Sequence, residues 1–203
     1  AARSPVSPGV VWTDWNIGLE ERELRNGHKA AVVWFTGLSG AGKSTIAREV
    51  ERRLFDRGCQ TMLLDGDQLR HGLSGDLGFS PADRRENIRR VGEVSRLFFN
   101  QGSIVLCTFV SPYREDRDRV RQLLPPGRFI EVFVDCSLEE ARRRDPKGLY
   151  AKADQGQIRE MTGVSSAYEP PENPELKLDT ESLSVEECVT RVIDYLRQQG
   201  LVR

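Results

Sequence analysis

Residues 37–44, Gly37-Leu-Ser-Gly-Ala-Gly-Lys-Ser44, fit GxxxxGK[ST] in full. Such a string suits phosphate binding, because glycines let the backbone curl with its N–H groups pointing inward around anionic oxygens. Gly37, Gly40 and Gly42 supply that freedom, and Leu38, Ser39, Ala41 and Thr45 complete the turn. Lys43 brings a point charge to β- and γ-phosphates, and the Ser44 hydroxyl is a ligand for Mg²⁺. The bland alternative is a glycine-rich turn that holds nothing. A second group of chemistry-bearing residues is Asp65-Gly-Asp67. A carboxylate there can hold Mg²⁺, directly or through water, or take the proton of an attacking hydroxyl; an Asx-type turn without chemistry is the competing reading. Arg70, His71, Phe79, Arg84, Arg85, Asn87, Arg89 and Arg90 follow within a short span. Clustered arginines beside an aromatic suit an anionic acceptor that carries a ring, although Arg85, Arg89 and Arg90 equally suit a solvated helix face.

These groups need a scaffold that gathers them. Short apolar runs at 31–36, 61–64, 103–110 and 129–135 read as strands, with 176–179 as a short last one. Helical spacing fills the intervals at 44–57, 80–101 and 114–124. Over 80–101 the expected buried face is Ile88, Val91, Val94, Leu97 and Phe98. Ser80 with Pro81, Ser137, and the capping box from Ser184 to Glu187 mark helix starts. Strands alternating with helices imply an α/β fold with a mostly parallel central sheet covered on both faces. The phosphate loop then sits between the first strand and its helix, and Asp65 ends the second strand. In such sheets the carboxyl ends of the strands share one crevice.

The division expected is an N-terminal extension over 1–30, loose over 1–10 and carrying a short helix, followed by one nucleotide-binding domain over 31–203. The stretch 145–175 is too long for an ordinary connection and reads as disorder or a functional lid. With 203 residues, 30 basic against 31 acidic, the formal net charge is −1, which argues against a general nucleic-acid binder. A mean hydropathy of −0.50 and the lack of any apolar stretch of about 18 residues argue against a membrane span. No signal-peptide pattern opens the sequence, so a cytoplasmic location is expected. Two histidines exclude a histidine-rich metal site, and four scattered cysteines read as reduced, mostly buried small side chains. No NKxD guanine motif accompanies the loop, and about 200 residues leave little room for motor elements; small-molecule kinases remain.

The string LDGDQLRHGLSGDLGFSPADRRENIRRVGEV, with GLSGAGKST before it and RDPKGLY after it, resembles adenylyl-sulfate kinases (APS kinases). The resemblance runs from about Val11 to the C-terminus. It implies a P-loop three-layer α/β/α fold with a lid over about 145–163. It also implies transfer of a phosphoryl group from ATP, with Mg²⁺, to the 3′-hydroxyl of adenosine 5′-phosphosulfate (APS), giving PAPS. By resemblance, Asp65 lies near metal and hydroxyl; Asp67, Arg70, Arg84 and Asn87 bind the acceptor; and Phe79 packs on its adenine. Arg144 belongs with ATP, while Lys147, Gly148 and Leu149 belong to the lid. Met161 stands where the family usually places a phenylalanine as the second wall of the adenine sandwich. Ser111 falls where a phosphoserine intermediate is commonly assigned. No activating base is evident near it, so direct in-line transfer with Ser111 as a pocket residue is the expectation. The family also suggests a homodimer and an association or fusion with ATP sulfurylase. Competing readings are another small kinase of gluconate, shikimate or nucleoside type, and a nucleotide-gated binding module.

Overall fold

A computed structural model describes residues 9–11, 13–157 and 160–203. Most of the tail expected over 1–10, and positions 158 and 159 of the expected lid, lie outside these. Five strands form the sheet: β1 (Ala31–Thr36), β2 (Thr61–Asp65), β3 (Ile104–Thr108), β4 (Phe129–Asp135) and β5 (Leu176–Asp179), in the order β2-β3-β1-β4-β5. Every neighbouring pair is parallel, so every strand ends at the same edge.

Alternation along β1 divides the core. Ala31, Val33 and Phe35 point to one face, where α2 (Lys43–Asp56) and α8 (Val185–Gln198) cover them with Ile46, Val50, Leu54, Val189 and Val192. Val32 and Trp34 point to the other, against α4 (Pro81–Asn100) and α5 (Arg114–Gln122) through Ile88, Val91, Phe99 and Val120. Two helical layers enclose the sheet, giving the three-layer α/β/α architecture. All six residues of β1 are buried, as a central parallel strand requires.

Several boundaries differ from expectation for identifiable reasons. The third strand stops at Thr108 rather than 110: the Val110 carbonyl accepts from the Thr36 hydroxyl at 2.8 Å instead of a ladder amide, and Ser111 next turns away with φ 40°. On α4 the buried stripe is Ile88, Val91, Gly92, Ser95 and Phe99, while Leu97 is exposed. Small residues at 92 and 95 carry the stripe, so apolar spacing alone selects the wrong face at its end. A Cβ at Gly92 would meet Val120 at 2.9 Å, so glycine lets α5 pack close. Over 145–175 the chain forms α7 (Leu149–Asp154) and a bridge between Thr162 and Ser166. The Asp65 turn starts a further short helix, α3 (Gly66–Leu69), and α6 (Leu138–Arg144) follows the Ser137 cap.

The N-terminal helix α1 (Leu19–Asn26) is tied down. Glu23 accepts from the Ala30 amide at 2.8 Å and from Arg128 at 2.8 Å, and Asn26 donates to the Gly102 carbonyl at 3.1 Å. His28, buried just before β1, accepts from the Gln60 amide through Nε2 at 2.9 Å. Its Nδ1 lies 3.2 Å from the Lys29 carbonyl, so the proton of the neutral ring sits on Nδ1. This bond fixes the entry to β2. Replacing His28 by Phe should leave the Gln60 amide without its partner and cost about 1 kcal/mol. Urea unfolding reads it as a lower midpoint; an unchanged midpoint counts against the role.

Candidate functional site

The loop from Gly37 to Gly42 joins β1 to α2, and its glycines are required by close approach. A Cβ on Gly37 would lie 2.3 Å from the Val134 carbonyl oxygen, and one on Gly40 would lie 2.9 Å from that of Ala141. No side chain fits either place, so the loop presses directly onto β4 and α6. Lys43 is buried at the helix start and donates to the carbonyls of Gly37 at 2.9 Å and Leu38 at 2.7 Å. Burial, helped by the charge of Lys147, pushes its ammonium down to about 8. The helix N-terminus and this lysine make the loop ready for an anion that would supply the missing negative charge.

A cavity of about 1300 Å³ opens along the strand ends, larger than a pocket for one small ligand. Residues 39–45 of the loop line one part, and Asp65, Asp67, Arg70, Phe79, Arg84, Asn87, Ser111 and Met161 line another. Arg144, Lys147 and Leu149 also face it. Of the residues singled out from sequence, Gly37, Leu38, Gly148, His71, Arg85, Arg89 and Arg90 do not line the cavity. The first two anchor Lys43 from beneath, and Gly148 takes φ 63° to start α7.

Asp65 joins the two parts. Its Oδ2 accepts from Ser44 Oγ at 2.7 Å and Thr108 Oγ1 at 2.8 Å, and its Oδ1 accepts from the Asp67 amide at 3.0 Å. Burial alone would raise this carboxyl, but those three donors outweigh it and hold the group below the usual carboxylate range. Asp65 is therefore both the cap of α3 and an ionised group at the cavity wall. Thr108 escaped sequence notice; its register opposite Asp65 in the β2–β3 ladder places it there.

In the second part of the cavity, Phe79 is exposed, with the Arg70 guanidinium 4.1 Å and that of Arg84 5.7 Å from its ring centre. Arg70 donates to the carbonyls of Leu77 and Gly78, at 3.1 and 3.0 Å. Arg84 donates to the Phe79 carbonyl and, at 2.8 Å, to Thr162 Oγ1. Both arginines thus shape the Phe79 loop, and Arg84 also ties it to the Thr162 segment. Arg85 lies over the Tyr113 ring, whereas Arg89 and Arg90 pair with Glu86, and Arg90 also with Asp76. The last two belong to the charged helix surface. Asn87 is buried, and its Oδ1 has no hydrogen-bond partner among the described residues. A buried amide oxygen left so is costly unless a ligand donates to it.

Lys147 pairs with Asp67 across the cavity mouth. Tyr150 donates to the Ser39 carbonyl at 2.9 Å, fastening α7 to the phosphate loop. Arg144 pairs with Glu140 and donates to Thr180, at 3.0 Å to Oγ1 and 2.6 Å to the carbonyl. Thr180, Leu183 and Val185 beyond β5 line the cavity too; the rule that strand ends face the crevice was the signal for them. Ser111 is buried with its hydroxyl committed. It accepts from Trp34 Nε1 at 3.0 Å and lies 3.0 Å from Thr36 Oγ1 and 3.3 Å from the Phe109 carbonyl. Among the described residues, no histidine or carboxylate is bonded to it.

The donor set suits Mg²⁺. Ser44 and Asp65 offer hydroxyl and carboxylate oxygens in contact, and the described residues hold no cluster of three or more metal-ligating side chains. A hard cation bound by one or two protein oxygens and completed by substrate phosphates matches that pattern.

A family model described as adenylylsulphate kinase matches residues 29–179. The chain is 51% identical to an adenylyl-sulfate kinase of Staphylococcus haemolyticus, over 97% of this chain and 98% of that one. Among solved structures, the Mycobacterium tuberculosis APS kinase in complex with AMPPNP and APS is 48% identical. Its TM-score is 0.80, covering 84% of this chain and 99% of that one. A gluconokinase of Sinorhizobium meliloti, 18% identical with a TM-score of 0.53 over 84% of this chain and 93% of that one, shares the fold.

The depressed value of Lys43 has a measurable sign. Its folded value, about 8, lies below the ordinary 10.5, so the buried charge costs stability below pH 8, and the cost is relieved as pH rises toward 10.5. Phosphates arriving beside it should restore the proton. Binding of ATP at pH 8 should take up about half a proton, and far less at pH 6.5. Calorimetry in buffers of different ionisation enthalpy measures this. Equal uptake by Lys43→Arg would remove the assignment.

Proposed function

The chain belongs to the adenylylsulphate kinase family, and we propose that it transfers the γ-phosphoryl group of ATP to the 3′-hydroxyl of APS, giving PAPS and ADP. The observation that carries this reading is Asp65. It is bonded to Ser44 of the phosphate loop and borders the Phe79–Asn87 part of the same cavity, where donor and acceptor would meet.

Phosphoryl transfer asks a protein mainly to position its reactants and neutralise charge. The amides of residues 39–45 and Lys43 hold the ATP phosphates. Ser44 and Asp65 would hold Mg²⁺, which when bound neutralises charge on the β- and γ-phosphates. Asp65, kept ionised by its three donors, orients the 3′-hydroxyl and can accept its proton. Phe79 and Met161 flank the acceptor's adenine, and the unpartnered Asn87 oxygen suits its exocyclic amine. Arg70 and Arg84 give the phosphosulfate a positive wall. Lys147 and Asp67 at the mouth, with Arg144 on the ATP side, close the lid over 145–163 and exclude water. The lack of a base bonded to Ser111 supports direct in-line transfer.

Two measurements test this. ADP release should depend on APS and vanish in Lys43→Ala with the fold intact; release indifferent to APS would sink the reading. Ser111→Ala should retain activity within about a hundredfold, through disturbed packing alone. A loss of about ten thousandfold in a folded variant would instead favour a phosphoserine route.

A further inference from the structure

Arg117 on α5 is 1% exposed, among the largest buried side chains. Its guanidinium reaches three separate segments. Nε donates to Glu131 of β4 at 2.7 Å, Nη1 to the Ser111 carbonyl at 2.6 Å, and Nη2 to the Glu169 carbonyl at 2.8 Å. Burying a charge is costly unless it is paired and hydrogen-bonded, and this one meets both conditions. A lone ion pair would need only Glu131. The two carbonyls are what the forked geometry adds.

Those carbonyls belong to functional segments. Ser111 sits with φ 40°, a left-handed conformation that is uncommon and strained for a residue with a side chain. That conformation directs its hydroxyl to Trp34 and Thr36, and places Val110, Ser111 and Pro112 on the cavity wall. Glu169 begins the return from the lid. Its amide donates to the Pro112 carbonyl at 2.8 Å, and its carboxylate accepts from the Arg114 amide at 2.9 Å. The neighbouring Tyr168 hydroxyl meets Thr36 Oγ1 at 3.0 Å, under the same serine. The 110–112 wall and the root of the lid are thus one block, tied to the sheet by the Thr36 hydroxyl of β1 and, through charged donors from α5, by Arg117.

We propose that Arg117 is a positioning residue for the acceptor: it fixes the Ser111 wall and anchors the lid root at Tyr168–Glu169, so that lid closure meets a wall already in place. This rests on the reading above that the Phe79–Ser111 part of the cavity takes APS. Among the described residues the Arg117 guanidinium bonds Glu131, Ser111 and Glu169 and none of the phosphate loop, so its effect falls on the acceptor and spares ATP.

Arg117→Lys tests this, since lysine keeps a positive charge opposite Glu131 yet cannot bridge two carbonyls as a planar fork does. The KM for APS should rise about tenfold while the KM for ATP stays within about threefold. A purely structural role would lower the melting temperature or the active fraction and leave both KM values alone. Unchanged values, or parallel rises in both, overturn the proposal. The parent enzyme in the same assay separates the two readings: without APS-dependent ADP release the proposed function fails, whatever the variant does. If Arg117→Lys does not fold, or the parent shows no such release, native-state hydrogen exchange of the parent chain decides. The amides of Ser111 and Glu169 should open together, with the same free energy; independent opening overturns the proposal.

Discussion

The carboxylate of Asp65, bonded to Ser44, Thr108 and its own helix start, links the phosphate loop on α2 to the ends of β2 and β3. Three elements distant in sequence are thereby fixed around one negative charge. The arrangement works because the sheet is parallel throughout: β1, β2 and β3 end at the same edge, so short side chains there reach one another without intervening loops. An antiparallel β2 would carry Asp65 to the opposite edge, away from the loop. Kinase chemistry on this scaffold thus depends on strand direction before any catalytic group is considered.

Positive charge in the site is held in two ways. Lys43 is buried at the bottom of the loop, where its ammonium is weakened. Arg70, Arg84 and Arg144 instead spend donors on backbone carbonyls and neighbouring side chains while keeping a face on the cavity. An arginine has five N–H groups, so it can shape a loop and still attract an anion. Lysine in those places could do one or the other. The same versatility explains Arg117, whose donors are all directed inward.

Local signals made much of this legible. The GxxxxGKS string located the loop, Asp65 stood out as the carboxylate ending a strand, and the helix caps and apolar runs placed most elements within a few residues. What escaped did so for physical reasons. Leu97 misleads because a helix face is set by packing partners, and Gly92 and Ser95 carry no apolar signature. Thr108 became visible only with the β2–β3 register. Arg117 sits in REDRDRVRQ, which reads as a solvated surface. Nothing local distinguishes its arginine from Arg119, which is exposed.

Sequence by itself determined the class of chemistry, because phosphate binding is encoded in contiguous residues whose backbone freedom and charge act locally. It also determined the layered fold, through strand and helix periodicities that need no partner to be read. Tertiary structure alone decided which charges are buried. It made Arg117 an internal clamp and Arg89 a surface residue, closed Ser111 into a hydroxyl network, and left the Asn87 oxygen without a hydrogen-bond partner among the described residues. Burial and pairing are properties of neighbours brought together by folding. A string of similar side chains does not reveal which of them folding will take out of water.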